Sequence, residues 1–451
     1  MQLTFIGATG TVTGSKYLLT DGDKNILIDC GLFQGYKELR LRNWATLPID
    51  PHTIDAVVLT HAHIDHSGYI PLLIKHGFRG KIYCTPATKD LCAILLPDSG
   101  YLQEEEARLA NKFHSSKHNP ALPLYTKEEA LESLKYFSAV DFDSPLKLFK
   151  TFTINFHRAG HILGASFISI KHHSVTLTFS GDLGRPHDPV MRAPDAICET
   201  DYLVLESTYG DRLHEGHNPQ EKIGEIIRET AKRGGSVIIP AFAVGRAQML
   251  LYYIYQLKMA DKIPEMPIFL DSPMAQNATD LLCRYQHEHR QSEEECNNFC
   301  SVADYVTTLE ESHKIDHPNV PCIIIAASGM ATGGRILRHL QQFAPNYRNT
   351  ILFTGYQAGG TRGDRIVRGE RKVKIFGEMV PIKAHVELLS NLSAHADYQE
   401  ILDWLSTLKK NPKKVFITHG EPEAALSLKK KIEDKFGWTC VIPHYLQKEN
   451  L

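Results

Sequence analysis

Apolar and polar side chains alternate over the first 60 residues, between turns that contain glycine. This period of two is typical of antiparallel strands with one buried face. A β-branched run at 55–60 (DAVVLT) predicts a buried strand, and the segment after His66 predicts a helix that ends at Gly77. Residues 99–138 have helical spacing, so we predict a helical excursion within the same domain. Further strands are expected at 3–6, 15–19, 25–29, 152–156, 167–170, 175–179 and 202–206.

From about residue 210 helices alternate with short apolar strands. Such alternation predicts a parallel sheet covered by helices. The predicted elements are helix 219–233, strand 236–242, a helix from Arg246, strand 268–271, helix 275–289, and strands 322–326 and 350–354. After about residue 380 we expect antiparallel strands again, then strand 414–418 and helix 422–436. The simplest account is a host domain, 1–208 and 381–451, split by an inserted α/β domain at 209–380.

The composition places the chain among globular proteins and excludes some partners. Its 451 residues suffice for two or three domains, and 43% hydrophobic residues exclude wholesale disorder. Fifty Lys and Arg against 52 Asp and Glu leave a formal charge of -2. This balance argues against histone-like or polybasic binding, in which affinity comes from the bulk positive charge of the protein. A single basic cleft remains compatible with this balance.

Neither a membrane segment nor a disulfide framework is expected. No apolar run approaches the ~20 residues that span a bilayer, and the N-terminus has the pattern of a strand, not of a signal peptide. The nine cysteines show no repeated CxxC spacing, so we expect a cytoplasmic protein with reduced thiols. Cys296 and Cys300, four apart on a predicted helix, are expected to pack or to face solvent.

Among 23 histidines, three lie in the motif His61-Ala62-His63-Ile64-Asp65-His66, between a predicted strand and a predicted helix. Chance would produce HxHxDH roughly 0.003 times in such a chain. Side chains two apart at a strand end converge, so His61 and His63 can share one ion. Asp65 and His66 follow the turn and point to a second position. Imidazole and carboxylate are the ligand types that zinc and similar divalent metals take.

Four ligands from one loop cannot complete two sites, so further ligands are expected at other strand ends. His161, Asp182 and His419 each stand beside a glycine where a predicted strand stops. A catalytic loop belongs at such positions. These three residues are therefore predicted to join the motif.

This set of residues resembles the metallo-β-lactamase fold family, which packs two β-sheets between helices in an αββα sandwich. The resemblance implies two metal sites that share one carboxylate. Their implied ligands are His61, His63 and His161 for one metal, Asp65 and His66 for the other, with Asp182 bridging and His419 completing the set. Asp29 matches the family's first acidic position, usually a partner of a metal-binding histidine. The implied cofactor is two Zn²⁺ per chain, with Mn²⁺ as an alternative.

Residues from about 206 to 420 resemble the β-CASP subgroup, the nucleic-acid-processing branch that includes bacterial RNase J-like enzymes and the eukaryotic pre-mRNA 3′-end-processing endonuclease. Its motifs fall on Glu206 in LESTYG, on His395 in SAHAD and on His419. A histidine at the third position is typical of RNA-processing members. The resemblance therefore implies single-stranded RNA as the partner.

The insert carries three strand-to-glycine turns with arginine nearby, which suit a phosphate-rich ligand. None of them is a Walker loop. The residues predicted to contact substrate are Arg246, Ser328, Gly329, Arg335, Arg362 and Arg365. Any homodimer is expected to use the two domains present.

The resulting hypothesis is hydrolysis of RNA by a hydroxide that two metals activate, leaving 5′-phosphate and 3′-hydroxyl ends. Asp182 would hold the water and Asp65 would orient it. His395 would protonate the departing oxygen or steady the phosphate, and Glu206 would hydrogen-bond a ligand histidine. Alternatives are a hydrolase of small esters, thioesters or lactams, a DNA nuclease, and an RNA-binding subunit with structural metals. The endonuclease or exonuclease mode stays open.

Overall fold

The structure is a computed structural model that describes residues 1–114, 116–142, 144–214, 216, 218–316, 318 and 320–451, without the Asn391 side chain. The chain forms two compact units. The first comprises Met1–Leu213 and His395–Leu451, and the second comprises His214–Ala394. Among the described residues, none of the helices combines the length and the apolar character needed to cross a membrane.

The first unit begins with eleven strands and five helices among its described residues. The strands are β1 Gln2–Phe5, β2 Tyr17–Asp21, β3 Lys24–Ile28, β4 Ala56–Val58, β5 Lys81–Cys84, β6 Phe137–Ala139, β7 Leu146–Leu148, β8 Phe152–Arg158, β9 Ser166–His172, β10 Val175–Phe179 and β11 Tyr202–Leu205. The helices are α1 Lys37–Arg42, α2 Ile64–Ser67, α3 Ile70–Lys75, α4 Pro86–Lys112 and α5 Lys127–Ser133. The predicted excursion at 99–138 is thus the second half of α4 followed by α5.

The second unit alternates helices and strands over its described part. Its helices are α6 Pro219–Lys232, α7 Arg246–Met259, α8 Pro273–Arg284, α9 Glu293–Cys300, α10 Leu309–Lys314, α11 Ile336–Phe343 and α12 Arg362–Val367. Its strands are β12 Val237–Pro240, β13 Ile268–Asp271, β14 Asp304–Tyr305, β15 Ile323–Ala326, β16 Thr350–Thr354, β17 Lys372–Ile375, β18 Glu378–Pro381 and β19 His385–Leu389. The chain then returns to the first unit through α13 Tyr398–Leu405, β20 Lys414–Ile417, α14 Pro422–Phe436, β21 Cys440–Val441 and β22 Lys448–Asn450.

Two seven-stranded sheets build the first unit, in the orders β22-β1-β2-β3-β4-β5-β6 and β21-β20-β11-β10-β9-β8-β7. Apolar side chains from both sheets, among them Phe5, Ile28, Phe156 and Phe416, share one buried core. Helices α13 and α14 pack on the second sheet through a separate cluster around Leu405. The structure confirms the predicted sandwich with its inserted α/β part.

The second unit contains a six-stranded sheet in the order β14-β13-β15-β12-β16-β19, in which every pair is parallel. The expectation of antiparallel strands after residue 380 is wrong for three of them, β19, β20 and β21, the last of which pairs parallel to β20. Strand β19 pairs parallel to β16 inside this sheet, and β20 pairs parallel to β11 in the first unit. Because β19 lies in this sheet, the second unit extends past the predicted boundary at residue 380.

Candidate metal centre

The sheets of the first unit bring several loop residues to the same strand ends. Strands β10, β11 and β20 are parallel neighbours, and Asp182, Glu206 and His419 follow them in that order. Strands β3 and β4 are also parallel, and Asp29 and His61 follow these. The carboxyl ends of parallel strands lie at one edge of a sheet, where ligand sites of α/β proteins form.

The HxHxDH motif is held against the end of β3 by close backbone packing. The amide of Cys30 donates to the carbonyl of His66 at 2.7 Å. A Cβ atom on Gly31 would lie 1.5 Å from the carbonyl oxygen of Asp65, so only glycine fits there. Helix α2 begins at Ile64, earlier than the predicted helix after His66, and so carries Asp65 and His66 in a single turn.

The first group of candidate metal ligands consists of His61, His63, His161 and Asp182. Nδ1 of His63 lies 3.2 Å from Nε2 of His61 and 3.3 Å from Nε2 of His161. Oδ2 of Asp182 lies 3.4 Å from Nε2 of His61 and 3.5 Å from Nε2 of His161. A tetrahedral zinc ion with ligands at about 2.0–2.1 Å separates its ligand atoms by about 3.3 Å. The four atoms therefore fit one ion of this kind.

The second group of candidate metal ligands consists of Asp65, His66 and His419, with the other oxygen of Asp182 beside them. Nε2 of His66 lies 3.0 Å from Nε2 of His419 and 3.2 Å from Oδ1 of Asp182. Nε2 of His419 lies 3.5 Å from Oδ2 of Asp65. Asp182 thus turns one oxygen toward each group, and its buried Oδ1 has no hydrogen-bond donor among the described residues. Such an orphaned carboxylate oxygen fits a cation.

Burial keeps one set of imidazoles neutral, which is the form that binds metals. Burial and then repulsion from His61 lower the pKa of His63 to about 3. Burial likewise lowers the pKa of His61 and that of His161. For His66, burial lowers the pKa, but the charges of Asp182 and Asp29 outweigh it and raise the pKa above its ordinary value.

Hydrogen bonds from neighbouring side chains orient three of these imidazoles. The carboxylate of Asp29 lies 2.8 Å from Nδ1 of His66 and also accepts the amide of Thr60 at 2.8 Å. The Thr60 hydroxyl lies 3.0 Å from Nδ1 of His61, and the Thr208 hydroxyl lies 3.2 Å from Nδ1 of His419. Such partners fix the ring orientation of a metal-binding histidine. The sequence reasoning missed both threonines, whose only signal is their place beside a motif.

Glu206 contacts a different histidine from the one expected. Its carboxylate lies 3.2 Å from Nδ1 of His395 and accepts the amide of Leu183 at 2.6 Å, whereas a ligand histidine was expected as its partner. A backbone bridge joins His395 to Gly184, in the loop that follows β10. Glu206 therefore acts on the ring that the sequence proposes as a proton donor.

His395 is placed to hold a proton near the metal ligands. Its side chain is 18% exposed, and its Nδ1 lies 3.9 Å from Oδ2 of Asp182. Burial lowers its pKa, but the negative charges of Glu206 and then Asp182 outweigh burial and raise it above the ordinary value. A raised pKa favours the protonated form of the ring.

The arginines proposed as substrate contacts are engaged within the second unit. Arg335 pairs with Asp271 at 2.5 Å and donates to the carbonyl of Thr307 at 2.7 Å. Arg365 pairs with Glu370, and Arg362 donates to backbone carbonyls, including that of Lys374 at 2.9 Å.

The remaining proposed contacts also have local environments within that unit. The Arg246 side chain is buried at the start of α7. The Ser328 hydroxyl lies 2.9 Å from that of Thr332, and a Cβ on Gly329 would press against Phe242. Substrate binding by all six residues stays a prediction.

Three segments of the chain match described families. Residues 9–96 match the metallo-beta-lactamase superfamily, residues 247–366 match the Beta-Casp domain, and residues 379–443 match the Zn-dependent metallo-hydrolase RNA specificity domain. Each of the two groups of candidate metal ligands includes residues from the segment 9–96, and His419 lies in the third segment.

Curated relatives match along nearly the whole chain. Ribonuclease TTHA0252 of Thermus thermophilus is 37% identical over 95% of this chain and 95% of its own length. Transcription termination factor FttA of Methanosarcina mazei is 30% identical over 96% of this chain and 69% of its own. Among solved structures, a protein of unknown function from Enterococcus faecalis V583 covers 100% of this chain with a TM-score of 0.55 and 14% identity, a likeness of fold alone.

Proposed function

The chain belongs to the metallo-β-lactamase-fold β-CASP ribonuclease family, and on this premise we propose that it hydrolyses RNA phosphodiester bonds, leaving 5′-phosphate and 3′-hydroxyl ends. It is a metal-dependent hydrolytic nuclease. One observation carries the proposal: two groups of ligand atoms at metal-binding distances share the carboxylate of Asp182. A shared carboxylate would hold two ions close together, as two-metal hydrolysis of a phosphodiester needs.

The residues that would hold the two divalent ions are His61, His63 and His161 on one side, Asp65, His66 and His419 on the other, and Asp182 between them. We propose Zn²⁺, because imidazole nitrogens with few carboxylates suit it, with Mn²⁺ as the alternative. When bound, such ions lower the pKa of water toward neutrality and offset the charge of a phosphate, so a nucleophile is available near pH 7.

Side chains of the protein would orient the attacking water and transfer a proton to the leaving group. Asp65 is half-buried beside His419 and can accept a hydrogen bond from the attacking water. His395 would donate its proton to the departing 3′-oxygen, since its raised pKa favours the protonated form of the ring. Glu206 would position that ring and hold the proton on it.

RNA is favoured over the alternatives by this chain's match to an RNA specificity domain at 379–443 and by its ribonuclease relative. A hydrolase of small esters, thioesters or lactams has no use for the β-CASP insert. We further propose that the protein acts in the cytoplasm, in keeping with nine cysteines that form no disulfide among the described residues. We also propose that the protein can form a homodimer.

A substrate panel tests this function. The metal-loaded chain is incubated with 5′-labelled RNA, DNA of the same sequence and a chromogenic lactam, with a chelated sample as control. We expect cleavage of RNA alone, lost on chelation, with products that carry 5′-phosphates. Hydrolysis of the lactam without RNA cleavage would reject the proposal, as would RNA cleavage that survives chelation. A circular RNA of equal length assigns the mode, because only an endonuclease cuts it.

A further inference from the structure

Three cysteines converge in the second unit, in residues that the proposed chemistry does not use. Cys283 lies near the end of α8, whereas Cys296 and Cys300 lie four residues apart on α9 and so on one face of that helix. A short connection joins the two helices. The two helices contact each other, and the three sulfur atoms lie close together.

The sulfur atoms are close enough to share one ion. Sγ of Cys283 lies 2.8 Å from Sγ of Cys296 and 3.6 Å from Sγ of Cys300, and the last two lie 4.0 Å apart. Tetrahedral zinc with Zn–S bonds of about 2.3 Å separates its sulfurs by about 3.8 Å. The separations of 3.6 and 4.0 Å are close to this value, whereas the sulfur atoms of Cys283 and Cys296 would have to move apart by about 1 Å. Iron–sulfur clusters distribute their cysteines over several irons, so this compact triad suits a single ion.

The surroundings leave room for a small fourth ligand. The Cys296 side chain is fully buried, whereas Cys283 and Cys300 are half-buried and reach solvent. His289 lies nearby, but its ring is already used: Nε2 lies 3.0 Å from the carbonyl of Leu282, and Nδ1 accepts the amide of Gln291 at 3.2 Å. A water molecule or an exogenous thiol would therefore complete the coordination.

We propose that Cys283, Cys296 and Cys300 form a third metal site that binds one thiophilic divalent ion of the Zn²⁺ class, separate from the histidine centre. Each thiol would release its proton to solvent when the ion binds. Because the ligands come from α8 and α9, the ion would cross-link the two helices and stabilise this part of the unit.

Cobalt substitution tests the site, because Co²⁺ bound by thiolates shows a near-ultraviolet charge-transfer band that nitrogen and oxygen ligands do not produce. The reduced, chelator-stripped chain is titrated with Co²⁺ in four forms: wild type, Cys283→Ser, Cys300→Ser and Cys198→Ser. Cys198 is an exposed thiol of the first unit and serves as the matched control. We expect the band in wild type and Cys198→Ser, its loss in the other two, and one bound ion fewer per chain in those two.

Absence of the band in the reduced wild type would overturn the proposal, and so would a full band in both Cys283→Ser and Cys300→Ser. Serine is nearly isosteric with cysteine, and the two positions reach solvent, so the variants are expected to fold. Thiol labelling of the wild type gives a second readout. We expect Zn²⁺ to protect Cys283 and Cys300 from a thiol reagent, whereas labelling that Zn²⁺ leaves unchanged at both would also contradict the site.

Discussion

Among the described residues, each unit contains a buried cluster of histidines and carboxylates, and these two clusters balance charge differently. In the second unit, His339 stands between two carboxylates, with Nδ1 2.9 Å from Asp316 and Nε2 2.7 Å from Asp271. Arg338 pairs with Asp316 at 2.5 Å, and Arg335 pairs with Asp271 at the same distance. The acidic groups of this cluster are thus matched by cationic side chains of the protein.

In the described part of the first unit, the corresponding cluster has no such cationic partners. Among the ion pairs of the described residues, Asp29, Asp65, Asp182 and Glu206 contact only histidines, and no Lys or Arg. Imidazole nitrogens also face one another at 3.0–3.3 Å. Facing acceptors repel unless a proton or a metal ion lies between them. The comparison indicates that one cluster is a closed ion-pair network, whereas the other needs cations from outside the chain.

The largest effect is expected from Asp182→Asn. Asp182 contributes an oxygen to each ligand group, so replacing it by an amide should weaken both metal sites and reduce RNA cleavage by about 10³-fold or more. Bound metal is measured by elemental analysis and cleavage with labelled RNA. Asp403→Asn, at an exposed position, is the control and should change neither. Full metal content in Asp182→Asn would contradict the shared-ligand assignment.

The next largest effect is expected from His339→Gln, which should lower the stability of the protein without changing its metal binding. Removing the central cation of a buried network should destabilise the second unit by about 3 kcal/mol. Bound metal at the histidine centre should stay at the wild-type level. Hydrogen exchange in β13 and α11, which carry Asp271 and His339, measures the change in stability.

The same network has a predictable pH dependence. Burial lowers the pKa of His339, but Asp271 and Asp316 outweigh it and raise the pKa above the ordinary value. Because this pKa is higher in the folded than in the unfolded chain, protonated His339 contributes its full stabilisation below about pH 6.5. This stabilisation of the folded state is lost as the pH rises through the folded-state pKa. The wild type should therefore lose protection in that window, and His339→Gln should not. Equal pH dependence in the two proteins would refute the assignment.

A smaller effect is expected from His395→Ala. Loss of the proposed proton donor should lower turnover by about 10²-fold while bound metal stays unchanged. Single-turnover cleavage and metal analysis on the same sample check this result. His118→Ala, at an exposed position, is the control. If the metal were lost as well, His395 would be a ligand and not a proton donor.

The smallest effect is expected from Glu206→Gln. Because the Glu206 carboxylate raises the pKa of His395, the neutral amide should let His395 lose its proton at a lower pH. Turnover should fall about 10-fold near neutrality, and the alkaline limb of its pH profile should move to lower pH. Glu199→Gln, which is exposed, is the control. An unchanged alkaline limb would separate Glu206 from the proton transfer.

The sequence predicted those features that depend on local pattern. Helix α14 was expected at 422–436 and lies at Pro422–Phe436, and the strand ends beside His161, Asp182 and His419 were expected where they lie. Strand direction was less accessible, because apolar alternation does not report which neighbour a strand pairs with. Strands β19 and β20 were therefore expected to be antiparallel and are parallel.

Long-range pairing was also inaccessible from the sequence. Arg335 stands beside a glycine turn, as a phosphate contact would, but its partner Asp271 lies 64 residues away in the chain. Cys296 and Cys300 were expected to pack or to face solvent, because the sequence around them shows no further ligand and Cys283 lies outside their helix. The Glu206–His395 contact spans 189 residues, and no motif indicates the backbone bridge that joins His395 to Gly184.

Metal dependence of RNA cleavage with Asp65→Ala tests the central claim most directly. Wild type and Asp65→Ala are stripped of metal, resupplied with Zn²⁺ or Mn²⁺, and assayed on the same labelled RNA. We predict that the stripped wild type is inactive and recovers on resupply, whereas Asp65→Ala stays inactive with either metal. Full cleavage by the stripped wild type, or by Asp65→Ala, would show that the histidine cluster of the first unit is not the catalytic metal centre.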